Sequence, residues 1–424
     1  MHTLTRGAAG LRLFVICLVA ASVSLPMAWI SLGKLMLFLG CLVYFAWSGH
    51  KTRDQESHTL WSVRLILVIL ITFALSLFWS KAPSDIALMA LIKHSKLLEV
   101  AMLVMLIRNA REARLALLVF FGSQAFLILS SWIMAAGYRV PWATSNTLVP
   151  EYKNVVYSTY LDQTLIFAAA AAVFWHLRHQ WRKAPWVAGL LAVSAIANNL
   201  FLQVGKTGYL ASLMVLTLAV MWEIPPKWRI TALLVFPVLM AGLMYASSAK
   251  FQSKVAQVMT ESQSYSQQGD AVGSSGFRLN AWHRSLQAMA EQPLIGHGVG
   301  SWTLTVKRIE GPQATNVYGD GLTSNPHQEF LLWGVELGVG GTLLLILLVV
   351  ALVRDAMQFE TPLQRALISV VAVMVLGCSF NSSLYDALIG DFFCVTLGLL
   401  LALGVRHQSP ACLPDTPAPQ KVNA

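Results

Sequence analysis

Charge is scarce in this 424-residue chain: Asp, Glu, Lys and Arg make up 12% of it, against 56% apolar residues. That excludes a soluble fold, because a core of this size cannot be covered with so little polar surface. Cysteine is scarcer still. Cys17, Cys41, Cys378 and Cys394 fall in apolar runs and Cys412 in the polar tail, so neither a disulfide nor a cysteine-based metal site is expected. No sequence repeat of the kind that marks a transporter built from inverted halves is visible. The first apolar run lacks an A-x-A cleavage pattern and reads as a retained anchor rather than a signal peptide.

What is present is a series of runs such as "LILVILITFALSLFW" and "GTLLLILLVVALV", each dense enough in Leu, Ile and Val to form a helix crossing a bilayer. The pattern predicts an all-α polytopic membrane protein with about 12 transmembrane helices. Residues 1–247 would hold the first nine, 248–336 one large external loop with short helices, 337–405 the last three, and 406–424 a disordered Pro-rich tail. Arg6, Arg12, "HKTRD", "RNAREAR", "RHQWRK", "PPKWR", Arg354 to Arg365 and Arg406 all fall on one side. By the positive-inside rule that side, with both termini, is cytoplasmic, and the loop is periplasmic. The formal net charge of +10 is thereby assigned to topology and to membrane lipids, not to nucleic acid.

Within the loop, residues 262–276 are Ser-, Gln- and Gly-rich and are expected to be flexible. Leu279, Trp282, Leu286 and Met289 follow at helical spacing, predicting a helix that lies along the membrane surface and ends before Pro293. Arg278 falls in its expected first turn, where free N–H groups and the helix dipole favour an anion, so the guanidinium reinforces a phosphate site or else contacts lipid headgroups.

"NPHQEFLLWGVELGVGG", residues 325–341, predicts a short helix over 326–336, with Asn325 as N-cap, Pro326 at its first position and His327 in its first turn. There the dipole keeps His327 neutral and able to accept a proton; the alternative is an interfacial histidine anchoring a helix end. The glycines at 334, 338, 340 and 341 predict a break before the next span, with Glu336 accepting a hydrogen bond that fixes it.

Lys206, in the glycine-flanked "LQVGKTGYL", can approach an anion closely or merely snorkel. Lys81 stands at the external end of the third span. Lys93, His94, Lys96 and Glu99 are charges at membrane depth and belong on the protein interior, where Lys96 and Glu99 can neutralise each other. Asp386 and Asp391 are candidates to orient His327 or to cap helices.

Many spans, a late external loop, "R-x-x-x-W" at Arg278 to Trp282, "PLIGHGVG" and "NPHQEFLLWGVELG" together resemble the O-antigen ligase family, within the larger group that includes O-antigen polymerases and protein O-oligosaccharyltransferases. The resemblance implies a membrane-embedded glycosyltransferase of the GT-C type that is inverting, independent of metal and without a cofactor. It would move a glycan from an undecaprenyl diphosphate donor to a lipid A-core acceptor. Arg278 and His327 match the family's essential arginine and histidine. Lys206 stands where many relatives carry Arg, and Gln328 where they carry Asn. On this reading Arg278 and Lys206 bind the diphosphate, His327 is the general base, and Lys81, Trp282, Gln328 and Asp386 contribute to substrate binding. A lipid-linked glycan transporter is the alternative of a different class; oligomeric state is not readable.

Overall fold

The computed structural model describes residues 2–48, 60–144, 154–157, 159–180, 184–203, 205–268, 273–311 and 325–408. In chain order its helices are α1 (His2–Ser22), α2 (Met27–Ser48), α3 (Trp61–Leu75), α4 (Ser84–His94), α5 (Leu98–Leu106) and α6 (Ala110–Ala135). Then come α7 (Tyr160–Leu177), α8 (Pro185–Phe201), α9 (Lys206–Glu223), α10 (Arg229–Ser247), α11 (Ala249–Gln268) and α12 (Gly273–Glu291). The last are α13 (Trp302–Glu310), α14 (Glu329–Leu337), α15 (Val339–Ala356), α16 (Thr361–Phe380) and α17 (Ala387–Gln408). No strand occurs among the described residues. Among the described residues, eight helices, α2, α3, α6, α7, α10, α15, α16 and α17, are long and apolar enough to cross a membrane. The described residues are all-helical in architecture, as expected of a polytopic membrane protein.

Side-chain size sorts these helices. The alanines at 168–172 make α7 thin on every side, so that α8, α9 and α16 all pack against it, the close approach that small residues allow between membrane helices. α17 is equally enclosed: its 18-residue apolar window is 100% buried, whereas that of α10 is 0% buried. α17 therefore belongs to the centre of the bundle and α10 to its rim.

Several expectations are corrected. The apolar stretch over 86–107, whose composition predicts a single membrane span, is not one helix, because a 3₁₀ turn at Ser95–Leu97 separates α4 from α5. There Lys96 donates to the carbonyl oxygens of Tyr385 and Asp386, at 2.9 and 2.5 Å, so it ties this turn to the start of α17 instead of neutralising Glu99. The stretch expected to be flexible is largely helical: α11 runs on to Gln268 and α12 begins at Gly273, with 269–272 outside the described residues. α12 turns its small face inward. Asn280, Ala281, Ser285 and Ala288 are buried while Leu286 is 55% exposed, because the small side lets α12 lie against α13 and α14. The tail from 409 onward, expected to be disordered, lies outside the described residues.

The helix expected over 326–336 begins later, at Glu329. Asn325 does not cap it. Its Oδ1 accepts from the His327 N–H at 2.9 Å, a local turn that competes with helix entry, and His327 takes φ 51. Gln328 caps instead, its Oε1 accepting from the Leu331 N–H at 2.5 Å.

α14 ends at Gly338, where φ is +70 and a Cβ would lie 2.5 Å from the Pro293 carbonyl oxygen. The segment 293–300 straps this break. Pro293 O accepts from the Val339 N–H, and the His297 and Gly298 N–H groups donate to Val335 O and Glu336 O, all within 2.9 Å. The buried Glu336 carboxylate completes the strap, accepting from the Gly300 N–H at 2.8 Å and meeting His94 Nε2 at 2.9 Å. A left-handed, non-glycine residue costs on the order of 1–3 kcal/mol before any steric overlap. Gly338→Ala should therefore lower the apparent unfolding temperature in detergent; an unchanged transition would mean that the break tolerates a side chain.

Candidate active site

α12 collects the candidate residues. Its first turns place Ser275 beside Lys206 and Glu261, the ring of Phe277 against that of His327 at 5.9 Å, and Arg278 near enough to His327 for its charge to act on the imidazole. Arg278 is in the second turn, not the first as the spacing predicts, because α12 starts at Gly273. The first-turn donor is the Ser275 N–H.

His327 is held at two atoms by a closed ring of hydrogen bonds. Its backbone N–H donates to Asn325 Oδ1 at 2.9 Å, and Asn325 Nδ2 donates to Asp386 Oδ1 at 3.2 Å. The other oxygen of Asp386 accepts from Asn381 Nδ2 at 2.9 Å, and Asn381 Oδ1 faces His327 Nδ1 at 2.7 Å. This geometry fixes the tautomer. A carboxylate only accepts, so the Asn381 amide must turn its NH2 to Asp386 and its oxygen to the imidazole. Nδ1 then carries the proton, leaving the Nε2 lone pair available to receive one. Burial holds His327 below the usual histidine range, Asn381 opposes that, and the Arg278 charge adds to it.

Burial also lowers the Arg278 guanidinium from its ordinary range, while Tyr160 and Glu261 raise it. It stays protonated all the same, and its Nε is buried without a hydrogen-bond partner among the described residues. A desolvated cation with an unused donor calls for an anion. Lys206 begins α9 and pairs with Glu261 at 3.1 Å. The glycines around it serve packing rather than ligand approach: a Cβ at Gly208 would lie 2.6 Å from Thr164 Cβ, so they bring α9 against α7.

Of the remaining candidates, Asp386 joins the His327 ring, whereas Asp391 pairs with Lys34 at 3.0 Å. Lys81 belongs to the strap: its Nζ lies 3.1 Å from His297 Nδ1 and its N–H donates to His297 O. Gln328 uses its amide oxygen to cap α14. Trp282 lies with its ring 6.4 Å from that of Phe380, and its indole N–H is buried without a partner among the described residues. Sequence reasoning missed Asn381, Glu261 and the serines at 274 and 275. Asn381 sits at the end of an apolar run and Glu261 in a Ser/Gln-rich stretch, and neither shows a motif.

Residues 191–346 match the family model described as O-Antigen ligase. That segment carries Lys206, Arg278, Trp282, His327 and Gln328, and stops short of Asn381 and Asp386. No curated protein matches the chain.

The ring predicts that nitrogen-resolved NMR of His327 reports the Nδ1-protonated neutral form, and that Asn381→Ala gives a mixture of tautomers. The Arg278 charge lowers the imidazole pKa, so Arg278→Gln should move the His327 titration midpoint upward. A downward or absent shift would separate the two residues electrostatically.

Proposed function

We propose, from the premise that this chain belongs to the O-antigen ligase family, that it moves a glycan from undecaprenyl diphosphate to a sugar hydroxyl of lipid A-core. We place it in the bacterial inner membrane with about twelve crossings, both termini cytoplasmic and the His327 site facing the periplasm, an orientation that follows from the one-sided distribution of Lys and Arg; the GT-C type is what the family resemblance implies.

The observation that carries the reading is the ring through Asn325, Asp386 and Asn381, which presents a neutral imidazole with a free Nε2 beside a desolvated arginine. In the reaction the acceptor hydroxyl oxygen attacks the anomeric carbon from the face opposite the diphosphate. The carbon–oxygen bond to the diphosphate breaks and its electron pair leaves with the phosphate oxygen, inverting the centre. His327 Nε2 takes the hydroxyl proton. Arg278 and Lys206 stabilise the charge that builds on the departing diphosphate, the larger contribution because that charge exists fully only as the bond breaks. The chemistry requires no metal ion or cofactor, since the leaving group is already activated.

Purified protein in liposomes, given an undecaprenyl diphosphate glycan and lipid A-core, should yield glycosylated lipid A-core. His327→Ala should lower that rate by roughly 10²–10⁴, the usual contribution of a positioned acid or base. Full activity in this variant would remove the base assignment. If the donor glycan is lengthened and lipid A-core is untouched, the protein is a polymerase; if substrate crosses the bilayer unchanged, it is a transporter.

Because burial and Arg278 hold His327 below the usual histidine range, the acid limb of the rate profile should lie below about pH 6.5, the unperturbed imidazole value. Arg278→Lys keeps the charge and loses the paired donors, so transfer should fall about tenfold or more.

A further inference from the structure

Glu261 is an anion in an anion's place. Its Oε2 accepts from Lys206 Nζ at 3.1 Å and from the Ser275 N–H, in the first turn of α12, at 2.9 Å. Oε1 accepts from Gln257 Nε2 at 2.7 Å. Lys206 also donates to the hydroxyl oxygens of Ser275 and Ser274, at 3.2 and 3.4 Å, and the Ser275 hydroxyl itself hydrogen-bonds to Glu261. An ammonium, a helix-terminal N–H and two hydroxyls are the donors that hold a phosphate oxygen. Arg278 is close enough for the Glu261 charge to act on it, and its own Nε is unused among the described residues. Burial alone would push the Glu261 carboxyl up, but hydrogen bonds from Ser275, Lys206 and Gln257 outweigh it and keep the group ionised.

The helix that carries Glu261 is weakly anchored. No residue of α11 with a described side chain is buried. Its attachments are surface contacts, such as the Lys250 ammonium on Gln203 O at 2.7 Å and the Phe251 ring on Tyr209 at 5.4 Å. A segment with so few buried contacts is among the first to move.

The geometry points to Glu261 as an internal placeholder: Lys206, Ser274 and Ser275 form the seat of a donor phosphate, Glu261 fills that seat in the free protein, and the donor enters by exchanging with it. This rests on the diphosphate-donor reading above. The exchange favours a diphosphate over a singly charged anion, because one carboxylate charge is given up and more than one is gained at the same cations. It also keeps the paired cations from recruiting bulk anionic lipid while the site waits.

The test is the affinity of undecaprenyl diphosphate, without glycan, for the full chain in nanodiscs. Glu261→Gln keeps the shape and removes the competing charge, so binding should tighten about tenfold. Lys206→Ala should weaken binding, and adding Glu261→Gln to it should recover little. Weaker or unchanged binding in Glu261→Gln, with Lys206→Ala still impaired, overturns the placeholder and leaves the donor site standing. If neither substitution changes binding, the donor-site reading fails with it. A second measurement needs no change at Glu261. Spin labels at Val258→Cys on α11 and Leu286→Cys on α12, both exposed positions, should separate on donor addition; an unchanged distance overturns the exchange.

Discussion

Two buried carboxylates near opposite ends of α14 hold the rest of the site in place. Glu329 is fully buried, and its oxygens accept from the Trp333 indole at 2.9 Å and from the Leu384 and Tyr385 N–H groups at 3.0 and 3.2 Å. Glu336 does the same work at the other end with Gly300 and His94. A nine-residue helix is too short to be stable by itself, so its position comes from these bonds. Removing one partner would strand an unpaired oxygen in an apolar interior, which costs more than the bond itself contributes; burial already pushes the Glu329 carboxyl up to about 7. The turn over 381–386, which carries Asn381 and Asp386, is therefore fixed relative to His327 by the same carboxylate that fixes the helix.

The segment "PLIGHGVG" takes its meaning from this arrangement. Gly298 has φ +86 and faces Ser80, while Ser80 Oγ donates to Val299 O at 2.7 Å. The strap joins the α3–α4 turn to the break between α14 and α15, and His297 links it to α12 by donating to Ala288 O at 2.8 Å. Lys81 and His297 are thus structural partners of each other. They hold the scaffold on which the His327 ring is built.

Much of this was legible in the sequence and some was not, for definite reasons. The apolar runs and the break near Gly338 depend on local composition and spacing, which a sequence displays directly, whereas the grouping of Arg278 with His327 was implied by the family resemblance. The start of α14 was misplaced because Asn325 can cap a helix or turn onto the His327 N–H, and only the pull of Asp386 on its NH2 decides between them. Asn381 and Glu261 act through partners 54 and 55 residues away. No periodicity encodes such pairings. The polar stretch around Glu261 has the composition of a flexible segment, and the contact that orders it comes from Lys206.

The ring around His327 has a consequence for turnover. An imidazole kept neutral by burial and by a neighbouring guanidinium is also one whose protonated form is short-lived. In the proposed reaction, once it has taken a proton from an acceptor it stands as a second cation beside Arg278, favoured within the ring by the Asn381 oxygen, while the carboxylate of Asp386 is one amide removed. On the proposed mechanism the departing diphosphate is an anion that would relieve that charge. On that proposal, resetting the base would be coupled to releasing the spent carrier.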